Sequence, residues 1–416
     1  MPSGLTDDEL VATYRDLHAH PELGFNEHRT ARLIAEHLSR AGYEVHTAIG
    51  GTGVVGILDN GDGATVLLRA DMDGLPVLED TGLPHASRER GIDRDGNDVP
   101  VAHACGHDVH MTCLIGAAAQ LAGERETFSG RLVVLFQPAE EVGGGARAMV
   151  EDGLYDRFGR PDVVLGQHVA PFPAGLLAIH PGTAMASSDS FDVTMYGTGG
   201  HGSRPEATVD PIVMAASTIV RLQSVASRET ANDEMAVVTV GMISAGTVAN
   251  VIPDKAEFKI NVRTVDAAVR ERTLAAIHRI IRAEAAASGA PRDPDIRATD
   301  HFPALVNDPA ASAATVAAFE AAFGAGIVLD PGVVTGSEDV GILAEAAGVP
   351  CVYWLLGGAE PAEFASATSV DGLREVLRRI PGNHSPAYAP IERPTLSMGV
   401  AALVTAAKAW MPNNPA

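Results

Sequence analysis

Leu132-Val-Val-Leu-Phe136 and Val163-Val-Leu165 contain no polar side chain. A strand with one wet face alternates, so runs this apolar suit strands covered on both faces of a parallel sheet. Parallel strands need crossover helices, and the sequence supplies them. Thr6-Asp-Asp-Glu9 has the spacing of a capping box, with Leu10, Tyr14 and Leu17 following on one helical face. Leu33, Ile34, His37 and Leu38 mark a second helix that stops at Gly42, and residues 111–122 read as a third, rich in small residues. Strands at 54–58 and 65–69 are parted by the turn-forming Asp59-Asn-Gly-Asp-Gly63. A strand at 349–356 and an Ala-rich helix after Thr395 repeat the pattern late in the chain. The expected class is α/β.

Between 186 and 301 the pattern changes. Phe191, Val193 and Met195 alternate with Asp192, Thr194 and Tyr196, so this strand has one wet face. Asp210-Pro211 opens a helix, with the acid at the cap and proline at the first helical position. Strands at 236–243 and 257–264, a helix over 267–287 and a short strand at 296–299 complete the order β-α-β-β-α-β, a ferredoxin-like pattern. Segments 1–185 and 302–416 therefore read as one α/β domain, with 186–301 inserted.

Charge narrows the partners. Lys and Arg total 30 against 53 Asp and Glu, a net charge of −23, so attraction to nucleic acid or to an anionic membrane surface is not expected. No run reaches the roughly 18 apolar residues of a spanning helix, and the first ten residues lack a basic leader. Three cysteines in 416 residues read as thiols of a reducing compartment, and the expected location is cytoplasmic.

Residues able to bind a metal gather where the apolar strands end. Asp71 and Asp73 follow the strand at 65–69, Glu140 and Glu141 that at 132–136, and His168 that at 163–165. Ligands of open α/β sheets sit outside the carboxyl ends of the strands, so three strands deliver acids and imidazole to one rim. His103-Ala-Cys105-Gly-His107-Asp108 immediately precedes a helix, and Asn383-His384-Ser-Pro386 lies near the C-terminus. Each piece has a plain structural reading: a helix start for the paired glutamates, a turn for the aspartates, a core histidine for His168. Their joint occurrence points to a mid-series divalent metal. His18, His20, His85, His103 and His110 are read as structural or supporting.

The motifs are specific in combination. They are Leu17-His-Ala-His-Pro-Glu-Leu-Gly24, Arg69-Ala-Asp-Met-Asp-Gly-Leu-Pro76, His103-Ala-Cys-Gly-His-Asp108 and Phe136-Gln-Pro-Ala-Glu-Glu141. Gly166-Gln-His168, Gly199-Gly-His-Gly-Ser203, Ala249-Asn-Val-Ile-Pro253, Gly336-Ser-Glu-Asp339 and Asn383-His-Ser-Pro386 follow. With them the chain resembles the M20 metallopeptidase clan, in its branch of N-acyl-amino-acid, hippurate and auxin-conjugate amidohydrolases. The resemblance implies a zinc-peptidase-like (phosphorylase/hydrolase-like) catalytic domain with an inserted ferredoxin-like α+β lid or dimerisation domain. It implies Cys105, His107, Glu141, His168 and His384 as ligands of two divalent ions per subunit, with Cys105 bridging, and Glu140 as general base. Zinc suits thiolate and imidazole by softness, while this branch resembles enzymes often run on manganese, cobalt or nickel. The family often has Phe where this chain has Val340, which bears on the acyl pocket.

The reaction implied is hydrolysis of an N-acyl-L-amino acid to a carboxylic acid and a free amino acid. His201 is the candidate oxyanion donor, reaching by family analogy into the partner's site of a homodimer paired through its lids. Asn250 and Arg263 are candidates for the substrate α-carboxylate; for Arg263 a plain surface residue of the lid is the competing reading. Two other activities compete: a metallo-carboxypeptidase or dipeptidase of the same clan, and a thiol amidase using Cys105. A silent binding protein is disfavoured, because the base and all five ligand positions are intact.

Overall fold

A computed structural model describes residues 4–367 and 369–413. Met1 to Ser3, part of the N-terminal stretch read above, lie outside the described residues. The described residues form two units, the smaller comprising Thr183–Leu305 and Val333–Glu338. The second piece, which carries Gly336-Ser337-Glu338, is absent from the insertion read at 186–301. It joins through long-range bonds: Ala186 N–H donates to the carbonyls of Val334 and Gly336, both at 3.0 Å.

In the larger unit eight strands form one sheet. Gly130–Gln137, Thr65–Asp71, Val163–Pro173 and Cys351–Ala359 are consecutive parallel neighbours. The expected parallel sheet is nevertheless mixed, because Gly53–Asn60 runs antiparallel to both Gly130–Gln137 and Glu44–Ile49. Only residues 50–52 link Glu44–Ile49 to Gly53–Asn60, and a link that short permits a hairpin but no crossover. Leu68, Phe136, Leu165 and Trp354 from the sheet share one buried cluster with Leu17, Ile34, Leu114 and Leu403 from four helices. Fully burying each such side chain contributes roughly 1.5–3 kcal/mol.

The helix His107–Gly123 positions the site. Its N-cap is Gly106 at φ +88, and a Cβ there would stand 2.3 Å from Val169 Cγ1. Glycine is required both for the left-handed backbone and for the close approach. The first helical residue is therefore His107.

The smaller unit has an antiparallel sheet in the order Ala236–Ala245, Lys255–Thr264, Ser187–Tyr196, Asp295–Phe302. Helices Pro211–Ser224 and Ala267–Ala287 are capped by Asp210 and Asp266, whose carboxylates each accept two N–H groups of the first turn. Met214, Leu222, Ile277 and Ile281 pack on Val193, Met195, Phe258 and Ile260. By order of appearance the strands run 2-3-1-4, the ferredoxin-like arrangement. A short ribbon, Gly200–His201 with Val251–Ile252, stands apart from that sheet. Among the described residues no helix is long and apolar enough to cross a membrane.

Candidate metal centre

Four segments of the larger unit bring the proposed ligands together. Cys105 precedes the helix that starts at His107, and Glu141 lies in the turn after Gly130–Gln137. His168 lies inside the strand Val163–Pro173, which is longer than read from sequence, and not after its end. His384 sits in a turn at φ +70, its N–H bonded to Ala104 O at 2.7 Å. One ligand atom each from Cys105, His107 and His168 lie within 4.8 Å of one another, as do those from Cys105, Glu141 and His384. Two triads thus share one thiol.

The donor set fits divalent cations on three observations. First, both ring nitrogens of His107 and Oε1 of Glu141 are buried without a hydrogen bond. Asp73 Oδ1 stands 3.4 Å from His107 Nδ1, and Glu141 Oε1 3.7 Å from Nε2. Second, His168 Nδ1 lies 2.8 Å from the Val169 carbonyl. A carbonyl only accepts, so the proton is on Nδ1 and the Nε2 lone pair faces Cys105 Sγ at 3.4 Å. Third, the field calls for positive charge. Burial would lower the His107 pKa, yet Asp71, Asp73 and Glu141 raise it to about 10. Burial and its acidic neighbours lift Glu141 to about 7.

The electrostatics of the site disfavour a free thiolate, so a thiolate at Cys105 calls for a neighbouring cation. Burial, then Glu141, Glu140 and Asp71, push the Cys105 thiol well above its usual range. Burial and His110 push His168 well below its own. A thiolate–imidazolium pair needs the opposite shifts.

Several supporting residues escaped the sequence reading or were left without a role. Asp73 accepts the backbone N–H groups of Glu140 and Glu141, both at 3.0 Å. His110 Nε2 accepts the Val169 N–H at 2.8 Å while Nδ1 lies 2.5 Å from Asp71 Oδ1. It therefore ties the strand carrying His168 to the strand ending at Asp71. Asn383 Nδ2 donates to Cys105 O at 2.9 Å and Val169 O at 3.2 Å. His18 lies buried between Asp108, 2.6 Å from Nδ1, and Glu79, 3.0 Å from Nε2. Glu27, a helix N-cap by position, sends its carboxylate to Ala139 N–H at 2.8 Å. Glu27 and Glu79 left no signal: an acid before a helix reads as a cap, and Glu79 lies outside every motif.

In the smaller unit His201 is exposed, and Nδ1 accepts the Ser203 N–H at 3.0 Å with Ser203 Oγ at 2.7 Å. A neutral His201 accepting at Nδ1 carries its proton on Nε2. Asn250 is held beside it, its carbonyl accepting the Gly202 N–H at 2.8 Å. The glycines around His201 admit this strand: Cβ atoms at Gly199 and Gly202 would stand 2.9 and 3.1 Å from the carbonyl oxygens of Ile252 and Asn250. Arg263 directs Nη1 to Thr335 O at 2.7 Å and Ser337 Oγ at 3.2 Å, holding the piece 333–338.

The sequence profile of peptidase family M20/M25/M40 matches residues 67–381. The chain belongs to this family. It is 44% identical over 282 residues to a hippurate hydrolase of Campylobacter jejuni, covering 67% of this chain and 70% of that one. Thermostable carboxypeptidase 1 of Saccharolobus solfataricus is 34% identical over 356 residues, 84% of this chain and 86% of that one. The crystal structure of a dinuclear metal-binding M20 peptidase from Bacillus subtilis superposes with a TM-score of 0.74 at 29% identity, covering 96% of this chain and 97% of that one. This M20 chain is a metal-dependent amidohydrolase with an α/β peptidase-like catalytic domain.

Proposed function

We propose that this M20 amidohydrolase cleaves N-acyl-L-amino acids with two divalent ions, zinc or manganese first among them, held by Cys105, His107, Glu141, His168 and His384. The observation that carries the reading is the pair of ligand triads sharing Cys105. Five donors exceed what one four-coordinate ion takes, and a shared thiolate suits two neighbouring ions. When bound, such ions polarise an amide carbonyl and lower the pKa of water toward neutrality. The chain's own residues do the rest. Glu140, buried and fixed through its backbone by Asp73, takes the proton of the attacking water and returns it to the departing nitrogen. His201 offers an Nε2–H donor to the developing oxyanion. Asn250 and Arg263 read the substrate carboxylate.

The similarity to a hippurate hydrolase favours an N-acyl amino acid over a peptide, and the carboxypeptidase relative keeps peptides as the second reading. We place the M20 chain in the cytoplasm and as a homodimer paired through its smaller unit. Ala236–Ala245 is an edge strand with Val237, Met242 and Ile243 exposed, and Val213 and Val220 are exposed on Pro211–Ser224. A long apolar edge of this kind is ordinarily covered. In the dimer His201 reaches the partner's metal site. The test of substrate class is amino-acid release from N-acetyl, N-benzoyl, indole-acetyl and long-chain N-acyl substrates set against dipeptides. Turnover of the dipeptides alone would overturn the amidohydrolase reading in favour of a peptidase.

A further inference from the structure

The helix His28–Arg40 starts with two glutamates nearby, and they do different work. Glu22 takes the usual task, its carboxylate oxygens accepting Arg29 N–H at 3.0 Å and Thr30 N–H at 2.9 Å. Glu27 occupies the N-cap itself but makes no capping bond. Its side chain turns inward, is fully buried, and accepts the Ala139 N–H at 2.8 Å and the Thr52 hydroxyl. Among the described residues it has no basic partner. Burial and the neighbouring Asp73 raise its pKa to about 7, so the hydrogen bonds it accepts, and not a counter-charge, hold it in place.

One of those bonds comes from Ala139. This residue is left-handed at φ +52 although it is not glycine, a conformation that costs roughly 1–2 kcal/mol. Three successive amides leave that bend and all three end on buried carboxylates: Ala139 on Glu27, Glu140 and Glu141 on Asp73. Gly24 lets the segment pass, since a Cβ there would stand 3.1 Å from Ala139 Cα and Cβ. Residues 24–27 precede the stretch matched to the family, which starts at residue 67.

We propose that Glu27 is a positioning residue for Glu140: by holding the Ala139 amide it sets where the Glu140 carboxylate stands during proton transfer. The proposal rests on Glu140 being the base. Reach is the property that matters, and charge is secondary. Glu27→Gln keeps an oxygen at the same distance from Ala139 N–H, whereas Glu27→Asp keeps the charge but is one methylene too short.

The test compares Glu27→Gln, Glu27→Asp and Glu140→Gln with the parent protein, with N-benzoylglycine as substrate and metal content measured on each sample. Glu27→Gln is expected within about threefold of the parent in kcat. Glu27→Asp is expected to fall on the order of 10²-fold in kcat, with KM within about twofold and metal content unchanged, as for a misplaced catalytic group. In the metal-free proteins, hydrogen exchange of the segment 137–145 should be slow in the parent and in Glu27→Gln and fast in Glu27→Asp. Equal kcat in both Glu27 variants, or a fall in kcat matched by metal loss, overturns the positioning role. If Glu27→Asp fails to fold, Glu27→Ala takes its place, with the same expected fall in kcat at unchanged metal content and the same overturning result. Activity surviving in Glu140→Gln would instead sink the assignment of the base, and is read separately.

Discussion

In the proposed reading of the pair Glu140-Glu141, one carboxylate moves protons and the other holds metal, and amide-for-acid substitution separates the two. Glu140→Gln should abolish turnover and leave metal content nearly intact; Glu141→Gln should deplete metal. Swapped phenotypes would reverse the assignment. His107→Ala and His384→Ala should lower metal content and activity together. His110, read from sequence as structural or supporting, carries more weight in the structure, and His110→Ala tests it. The imidazole holds both the Val169 amide and Asp71, and loss of such an outer partner costs 10–100-fold in metal affinity. Competition with a calibrated chelator measures that loss, and unchanged affinity would return His110 to the core. His18 gives a pH signature. Burial alone would lower its pKa, but hydrogen bonds from its ring to Asp108 and Glu79 raise it to about 10. A group whose folded pKa lies above its unfolded value, near 6.5, stabilises fully below that value and loses the contribution as pH rises through the folded one. The Tm difference between the parent protein and His18→Gln should therefore shrink from pH 6 to pH 10. A difference that grows over that window would contradict a charged His18.

The site is held by a helix start, a strand and two turns, and this divides what the sequence revealed. Gly130–Gln137 and Ala267–Ala287 follow from apolar runs and caps that act locally. The motifs that carry Cys105, His107 and Glu141 were legible as residue strings, through their resemblance to the family. The direction of Gly53–Asn60 was not legible, because an apolar strand looks the same whether its neighbour runs with it or against it. Nor was the turn at 138–145, whose shape depends on Glu27, Asp73 and a glycine at 145. A Cβ on Gly145 would stand 1.5 Å from Pro138 O, so the chain must open there if any side chain is added. Gly106→Ala tests the same logic at the helix start. The clash with Val169 and the positive φ should cost several kcal/mol and displace Cys105 and His107 together. Thermal unfolding and metal content should both drop. A Gly106→Ala protein with normal Tm and full metal would show that the segment relaxes without that approach.

At the scale of the whole molecule, each unit folds around its own core, and the proposed chemistry draws on both. His201, Asn250 and Arg263 belong to the smaller unit, every proposed metal ligand to the larger. Loss of the His201 donor in His201→Ala should cost on the order of 10²–10³ in kcat with metal retained. Mixing His201→Ala with Glu140→Gln under subunit exchange should recover activity toward half of the parent if His201 serves the partner's site, since one site of each heterodimer is then intact. Heterodimers that form without recovery would refute the shared site. The central claim, a dinuclear metal centre built around Cys105, is tested most directly by stripping the protein with a chelator and titrating zinc or manganese back while following amino-acid release from N-benzoylglycine. The account predicts that activity vanishes on stripping and that full activity returns at two equivalents per chain. A plateau at one equivalent, or activity that survives the chelator and is lost to a thiol alkylating agent, would contradict it.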